Sequence, residues 1–586
     1  MNQSKYKLNR IVLNLPYLLL LLLGTFYLFN FTSYIFYYQE KSSLFLLTFS
    51  YLQEHLNQPG GFLIYLGELQ EAFYYYPLLG AVLVVLEICA ITFVLGKIGS
   101  VLTGRRLYFV SFIIGALLFY LQTNYQYQAI NNLGILIHLL LFLGVITSKP
   151  KSRWGAVIIL PLIYFLFGSF SYLLLGMLSV YFLLERKWLV LAFSWLSVGI
   201  CFWLGKEFLF YQTTSSLLVF PFSVTAIGGQ VILFGVTALI VLFVPILAKI
   251  KVKSIDRLKI RQMKFAELSP FLIILLLTVV VSLRIDIKSQ HYFHAEKLFY
   301  EQKYDELIRF NSVEPTNNKL TLFINNVALA ETGRLGDSLF KFRQSNDGTT
   351  LFLKWENIGQ YLRFGGYYYY AIGVVNEAQR WVYEYTVIYG YTPETLKMLI
   401  KTELIKGNYQ TAEKYITILG QSLFYKNQAR DFRNFLNDDV AVLSDNELGR
   451  KRQQDTKLDF FVKSDEPWLN LLPVLDADPN NPIALQYKLS WLMLQKDMKG
   501  IVELLPAMEQ AGLKKIPKNV EEAVVTYKLL NIGEIPELKQ LKIDPQTEQR
   551  FQRYYQIYQQ NQSNKRKAQI ALRDFADTYW YYVFFN

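Results

Sequence analysis

Long apolar runs alternate with short basic segments through the first half of this chain, and the alternation stops near Asp286. Ile11 to Phe36, Pro77–Leu95, Leu107–Gln122, Ala129–Thr147, Leu189–Leu204, Ile227–Ala248 and Leu268–Leu283 read as membrane-spanning helices. Residues 155–184 are one long apolar run that ends at Arg186-Lys187. As one helix the run would be ~45 Å long, well over the ~30 Å hydrocarbon core. The pattern therefore predicts two short helices broken near Gly168-Ser169, a kinked or re-entrant hairpin covered by protein. The total is about nine spans. Basic residues cluster between them: Lys5, Lys7 and Arg10, then Lys97, Arg105 and Arg106, then Lys149, Lys151 and Arg153. The strongest run, Lys249 to Lys264, precedes the last span. Basic loops stay on the cytoplasmic side. The start of the chain is thus expected inside, and residues 287–586 outside.

Two polar stretches fall on the outer side. Residues 37–76 contain two segments with helical apolar spacing, SSLFLLTFSYLQEHL and FLIYLGELQEAFYYYP, separated by Pro59-Gly60-Gly61. Amphipathic helices lying in the membrane interface fit this pattern. The stretch holds Glu40, Glu54, His55, Glu68 and Glu71. Residues 205–225 form the second, with Lys206 and Glu207 at its start.

From residue 287 onward the periodicity becomes that of helix pairs. Pro393 opens YTPETLKMLIKTELIK, and GNYQTAEKYITIL follows with Gly407, Tyr409 and Ala412 in a G-x-Y-x-x-A arrangement. Small residues there let two helices approach closely. This resembles the second helix of a tetratricopeptide repeat. Residues 476–505, with Asp478-Pro479, Asn481 and Ala484, resemble a second copy, and 301–318 a weaker one. The resemblance implies a stacked α-solenoid presenting a concave surface.

Composition agrees with the pattern. Hydrophobic residues make up 53% and charged residues 18%, too apolar for an ordinary soluble protein. The net charge of +13 lies almost wholly in residues 1–286, with 21 Lys+Arg against 10 Asp+Glu. It is spread over loops between spans, so it orients the chain in a membrane and argues against a nucleic-acid partner. Cys89 and Cys201 both sit in apolar spans and read as small buried hydrophobes. No Gly-rich phosphate loop, nucleophile elbow or metal-ligand cluster is present. His291-x-x-His294 lacks a third ligand nearby and reads as an interfacial pair. Glu87 lies mid-span, where a carboxylate is costly unless paired or functional; it reads first as a neutral or water-facing acid and second as a partner of His138. The run Tyr367 to Tyr370 reads first as helix packing, second as a carbohydrate- or partner-stacking surface.

Tyr38-Gln39-Glu40 places an acid just after the first span, ahead of amphipathic segments and a Tyr-rich entry to the second. This layout resembles the integral-membrane glycosyltransferases of the C-type fold. The resemblance implies a polyprenyl-linked glycan donor and an outer-face acceptor, with Glu40 in the catalytic acid's place. Glu68, Glu71, Lys206 and Glu207 would then be substrate-binding. No protein metal site is implied by the motifs, although a divalent metal is compatible with such chemistry. An acidic pair is usual in that family, and here Gln39 stands beside Glu40. The whole chain is also similar to a family of uncharacterised bacterial inner-membrane proteins with a polytopic first half and a tetratricopeptide-like second half. PGGFLIYLGELQEAFYYYPLLGA and GYTPETLKMLIKTELIKGNYQTAEKYITILGQSLFY carry that similarity.

The expectation is an all-α protein of the bacterial inner membrane. Residues 1–286 would be a transmembrane helical bundle and 287–586 a periplasmic tetratricopeptide-like domain. Its function would be a membrane transferase with the repeat domain docking the acceptor. The alternative is a membrane-anchored scaffold whose repeats recruit envelope proteins. A transporter is disfavoured by the lack of inverted repeats and the scarcity of intramembrane charge. Orientation is directly testable. A periplasm-dependent reporter fused after Tyr300 should be active, and one fused after Lys264 inactive.

Overall fold

A computed structural model describes the backbone of residues 2–149, 153–210, 212–222, 230–249, 256–356, 359–456 and 460–585. Side chains are described over the same ranges, except for residues 2–13 and 256–267. Lys151, Lys251 and Lys253 of the basic segments lie outside the described residues, as do residues 227–229 of one expected span. The regular structure of the described residues is helical, with no strand and one isolated antiparallel bridge, Leu46 to Ser422. The chain divides into two compact units: Met1–Gln290 with Gln421–Phe424, and His291–Gly420 with Tyr425–Asn586.

The first unit begins with α1 (Asn2–Phe31), α2 (Ser33–Ser42), α3 (Phe49–His55), α4 (Gly61–Ala72) and α5 (Pro77–Thr103). It continues with α6 (Tyr108–Gln122), α7 (Ala129–Thr147), α8 (Trp154–Phe167), α9 (Ser171–Leu184), α10 (Trp188–Leu204) and α11 (Thr214–Val219). Helices Val231–Leu242, Val244–Lys249 and Asp256–Ser282 complete it. The 27-residue α5 lies at the centre, packed on α1, α6 and α7. Its Val84, Val85, Ile88, Ile91 and Ile98 are fully buried. Outward faces are equally apolar. Leu18, Leu22 and Phe26 of α1, Ile158 and Leu162 of α8, and Trp195 and Trp203 of α10 are all exposed. A contiguous apolar exterior of this kind suits a lipid environment and is rare on soluble monomers.

Among the described residues five stretches are long and apolar enough to cross a membrane, 14–31, 77–103, 129–147, 154–184 and 188–209, and the pair Leu268–Ser282 and Ile287–Tyr300, bent by 67°, makes a sixth if it is one broken span. The helices Tyr108–Gln122 and Val231–Leu242 are apolar but shorter. The fourth stretch is not one rod. The Arg153 guanidinium lies 5.5 Å from the centroid of the Tyr181 ring. A continuous helix would hold those residues ~42 Å apart at 1.5 Å per residue. So α8 and α9, 14 residues each, form a hairpin. Its tip is the turn Gly168–Phe170, where the apolar run calls for a break.

The tip gathers both polar stretches. Gly168 has φ +57, and Gly60 has φ +88. Each lies where a Cβ would strike the other's backbone and Pro221. Gly60 N–H donates to the Phe165 carbonyl at 2.9 Å, and Ser169 N–H donates to the Phe220 carbonyl at 2.9 Å. At the opposite end of the hairpin, Lys249 pairs with Glu185 at 2.8 Å. Residues Gln421–Phe424 add to this unit: Leu47 N–H donates to Gln421 O at 2.9 Å, and the Phe424 ring stacks on Tyr75.

The second unit is built of short helices in neighbouring pairs. Gly359–Ile372 packs on Val375–Tyr389, where Gly365 and Gly366 leave room for Trp381. Pro393–Lys406 starts at its proline with a reciprocal Thr392–Thr395 cap and ends at Gly407, φ +77. It packs on Tyr409–Gly420 through fully buried Ala412 and Ile416. Two ion pairs are buried. Arg363 meets Glu296 at 2.8 Å, with side chains 7% and 1% exposed. Lys451, 0% exposed, meets Glu331 at 2.6 Å and donates to the Ala371 carbonyl. Such pairs hold only while both partners are present.

Gly168 offers a direct stability test. Gly168→Ala would place a Cβ 2.4 Å from the Phe220 carbonyl oxygen, adding a clash to the ~1–3 kcal/mol backbone cost of φ +57 with ψ −133, a region almost restricted to glycine. Gly104→Ala, at φ +75 with nothing within 4 Å, carries a backbone cost alone. Thermal unfolding of the detergent-purified protein should fall clearly further for Gly168→Ala than for Gly104→Ala.

Candidate functional site

The first polar stretch folds into a compact charged site. Thr48 caps α3 by accepting from Tyr51 N–H. Gly61 permits α4 to start directly against α3, since a Cβ there would lie 1.7 Å from the His55 carbonyl oxygen. The two helices thus bring Tyr51, His55 and Glu68 together. Tyr51 O–H donates to Glu68 Oε2 in a short hydrogen bond. His55 Nε2 stands 3.1 Å from the same oxygen, and its Nδ1 stands 2.8 Å from the Tyr51 carbonyl. Both ring nitrogens face acceptors, so the arrangement is best satisfied by an imidazolium donating twice. Burial alone lowers the His55 pKa, but the Glu68 hydrogen bond, the Tyr51 carbonyl and the carboxylate charges together raise it above its ordinary value. Both hydrogen bonds fall on Oε2, and Glu68 Oε1 has no protein partner among the described residues. The site is framed by rings: Phe45 packs on Tyr51 and on Tyr65, and His55 lies 4.5 Å from Tyr51 between centroids.

Beneath it lies a buried polar layer. Gln39 donates to the carbonyls of Tyr125 at 3.2 Å and Tyr127 at 2.8 Å. Tyr127 O–H donates to Asn132, and Asn132 donates to Gln122, each at 3.1 Å. Gln70 donates to the Tyr74 hydroxyl at 2.9 Å. Glu71 Oε1 accepts from Ala129 N–H at 3.3 Å. Burial pushes the Glu71 carboxyl up to about 8, against the pull of that N–H and helped by the Glu68 charge. At neutral pH Glu71 is therefore largely a neutral acid.

The sequence-derived candidates separate in the fold. Glu40 is 7% exposed in α2, with Lys41 Nζ at 3.5 Å from Oε2. Glu68 and Glu71 share α4 but serve different surroundings, the charged site and the buried layer. Lys206 and Glu207 pair with each other at 3.7 Å, about half exposed, and no described contact joins them to Glu40 or Glu68. Glu87 and His138 do not meet as partners. Glu87 Oε2 and His138 Nε2 are both buried without a hydrogen-bond partner. His138 Nδ1 instead stands 2.6 Å from the Gly134 carbonyl, with the ring between Phe167 and Phe170. Sequence reasoning held His55 and Glu68 in one stretch but missed their pairing and Tyr51. The signal was the tight Pro59-Gly60-Gly61 reversal, which folds residues 51–55 back on residue 68.

Among the described residues no group of three or more His, Cys, Asp or Glu side chains is placed to hold a metal ion. His291 instead stands 3.0 Å from Asn311 Oδ1 and stacks on Phe310.

The helices, their outward apolar faces and the charged site at the end of the first unit define an all-α protein with several membrane-capable helices. The chain belongs to the family of unknown function DUF6057, which matches residues 7–586. No curated protein and no solved structure matches it.

Both titrating groups make the folded state less stable as pH rises. His55 holds a raised value, so its contribution is full below 6.5 and is lost as pH rises through the folded value. Glu71 keeps in the folded state a proton that the unfolded chain releases above 4.5, so stability falls as pH climbs from 4.5 towards about 8. Glu71→Gln preserves the neutral shape. Its unfolding temperature should exceed wild type's near pH 8 and converge with it near pH 4.5.

Proposed function

We propose that this protein is a membrane-embedded glycosyl- or oligosaccharyl-transferase that uses a polyprenyl-linked glycan at the outer face. The observation that carries the reading is the Glu68 carboxylate. One of its oxygens is fixed by Tyr51 and His55 and the other has no protein partner among the described residues, on a ring-framed loop that follows the first membrane-capable helix. An acceptor hydroxyl bound to Oε1 would be oriented by a carboxylate that cannot rotate away. As the acceptor oxygen bonds to the anomeric carbon, its proton passes to Glu68. The bond from that carbon to the lipid phosphate breaks, and the electron pair leaves with the phosphate. His55 and Tyr51 hold the carboxylate in place. Glu40, the first choice from the sequence, becomes a neighbouring charge of the same outer loop, while Glu71 and Gln39 support the loop from below.

In this reading the chain crosses the bacterial inner membrane about nine times, counting α8 and α9 as separate short crossings. Its start is cytoplasmic, and residues 287–586 are a periplasmic tetratricopeptide-like domain that presents the acceptor. A divalent metal would enter only with the lipid phosphate. The rival reading, an anchored scaffold recruiting envelope proteins, is favoured by one observation: Lys206 and Glu207 pair with each other, and no described contact joins them to the Glu68 site.

Glu68→Gln and Glu40→Gln in the native host separate these readings. Envelope glycoproteins and lipid-linked glycans are compared by mass spectrometry with wild type and a deletion, at matched protein levels. Glu68→Gln should match the deletion, losing protein glycans and accumulating lipid-linked donor, with activity down about a hundredfold or more. Glu40→Gln should keep most activity. A deletion with unchanged glycosylation ends the transferase reading.

A further inference from the structure

The second unit contains a cavity of about 330 Å³, inside the size range of small-molecule sites. It opens among the helices Ile287–Tyr300, Tyr304–Val313, Gly359–Ile372, Pro393–Lys406 and Lys426–Arg433. One wall is aromatic. Phe299 meets Tyr367 edge-on at 4.9 Å between centroids and Tyr304 at 6.1 Å, and Tyr300 lies 6.0 Å from Tyr367. Phe432 and Phe435 also line it. Of the tyrosine run, Tyr368 and Tyr369 go to packing, at 1% and 0% exposure. Tyr367 and Tyr370 face the cavity.

The polar lining is specific in what it offers. Its glutamates are already balanced: Glu447 by Lys401, Glu394 by Lys397, Glu331 by Arg450 and Lys451, and Glu301 by Lys303. Asp431, exposed on the rim, makes no ion pair among the described residues. The cavity therefore presents neither a bare cation cluster for a phosphate nor a bare carboxylate cluster for a metal or amine. It does present open hydrogen-bonding groups. Tyr304 and Tyr367 are half-buried on its wall, with no hydrogen bond from either hydroxyl to the described residues, and the Gln428 amide also lines it. Phenol hydroxyls left free on a cavity wall can both donate and accept, so a ligand that supplies several neutral donors and acceptors beside ring faces fits it.

We propose that this cavity binds a neutral saccharide of one or two sugar units, stacked on the aromatic wall and hydrogen-bonded to Tyr304, Tyr367 and Gln428. Sugar C–H faces pack on rings, and sugar hydroxyls both donate and accept, which matches phenols, an amide oxygen and balanced ion pairs together. The inference stands on the second unit alone and does not depend on the transferase reading.

The test uses the full chain in detergent. Saturation-transfer NMR with chitobiose, maltose, cellobiose and mannobiose, each at millimolar concentration, should show transfer to at least one. Tyr304→Phe and Tyr367→Phe keep the rings and remove the hydroxyls. Each should weaken that binding about fivefold to tenfold, with the unfolding temperature unchanged. Tyr383→Phe, at an exposed ring away from the cavity, should leave it unaltered. Transfer to none of the four, or binding equally strong in the Tyr304→Phe/Tyr367→Phe double variant, overturns the proposal. So does saturation of the cavity by inorganic phosphate or by a tripeptide in place of the sugars.

Discussion

The first unit depends on how a broken helix is satisfied in an apolar setting. Helix ends leave carbonyls and N–H groups unpaired, and hydrocarbon offers nothing to pair them with. At the α8–α9 turn the protein supplies the partners. Phe165 O accepts from Gly60, and Ser169 N–H donates to Phe220. Two backbone hydrogen bonds thus tie the hairpin tip to residues on both polar stretches. Gly60 immediately precedes α4, and α4 carries Glu68. The position of the charged site is therefore set by a turn about a hundred residues further along the chain.

Much of this was legible because it follows from periodicity. The break at Gly168 follows from length alone: the apolar run is too long for one span, and glycine is where a chain can turn. Pro393 signals a helix start by its chemistry, and it stands at a helix start in the fold. The tertiary pairing was not legible. His55 and Glu68 are thirteen residues apart, and nothing in their spacing distinguishes that pair from Glu40 with Lys41. A Glu87–His138 pair is the second reading of two groups that are each costly alone in a span. Helix rotation instead turns His138 towards Phe167 and Phe170.

A glutamine beside Glu40 has a physical account. Gln39 holds the carbonyls of Tyr125 and Tyr127 with its amide N–H groups. A carboxylate has no proton to give at neutral pH, so an aspartate or glutamate there would face two acceptors. The glutamine is needed to join α2 to the turn between α6 and α7. The fold requires a donor at this position, and the carboxylate oxygen with no protein partner among the described residues stands on α4.

The buried pair of Arg363 with Glu296 bears on where the second unit can be cut. Glu296 lies on Ile287–Tyr300, the helix next in sequence after the last apolar segment, while Arg363 lies on Gly359–Ile372. A fragment that starts beyond Tyr300 would strand a guanidinium that now packs against the rings of Tyr300 and Phe364. For recombinant work the natural start of the second half is thus Ile287, and the helix that looks like a linker is a structural part of the domain it leads into.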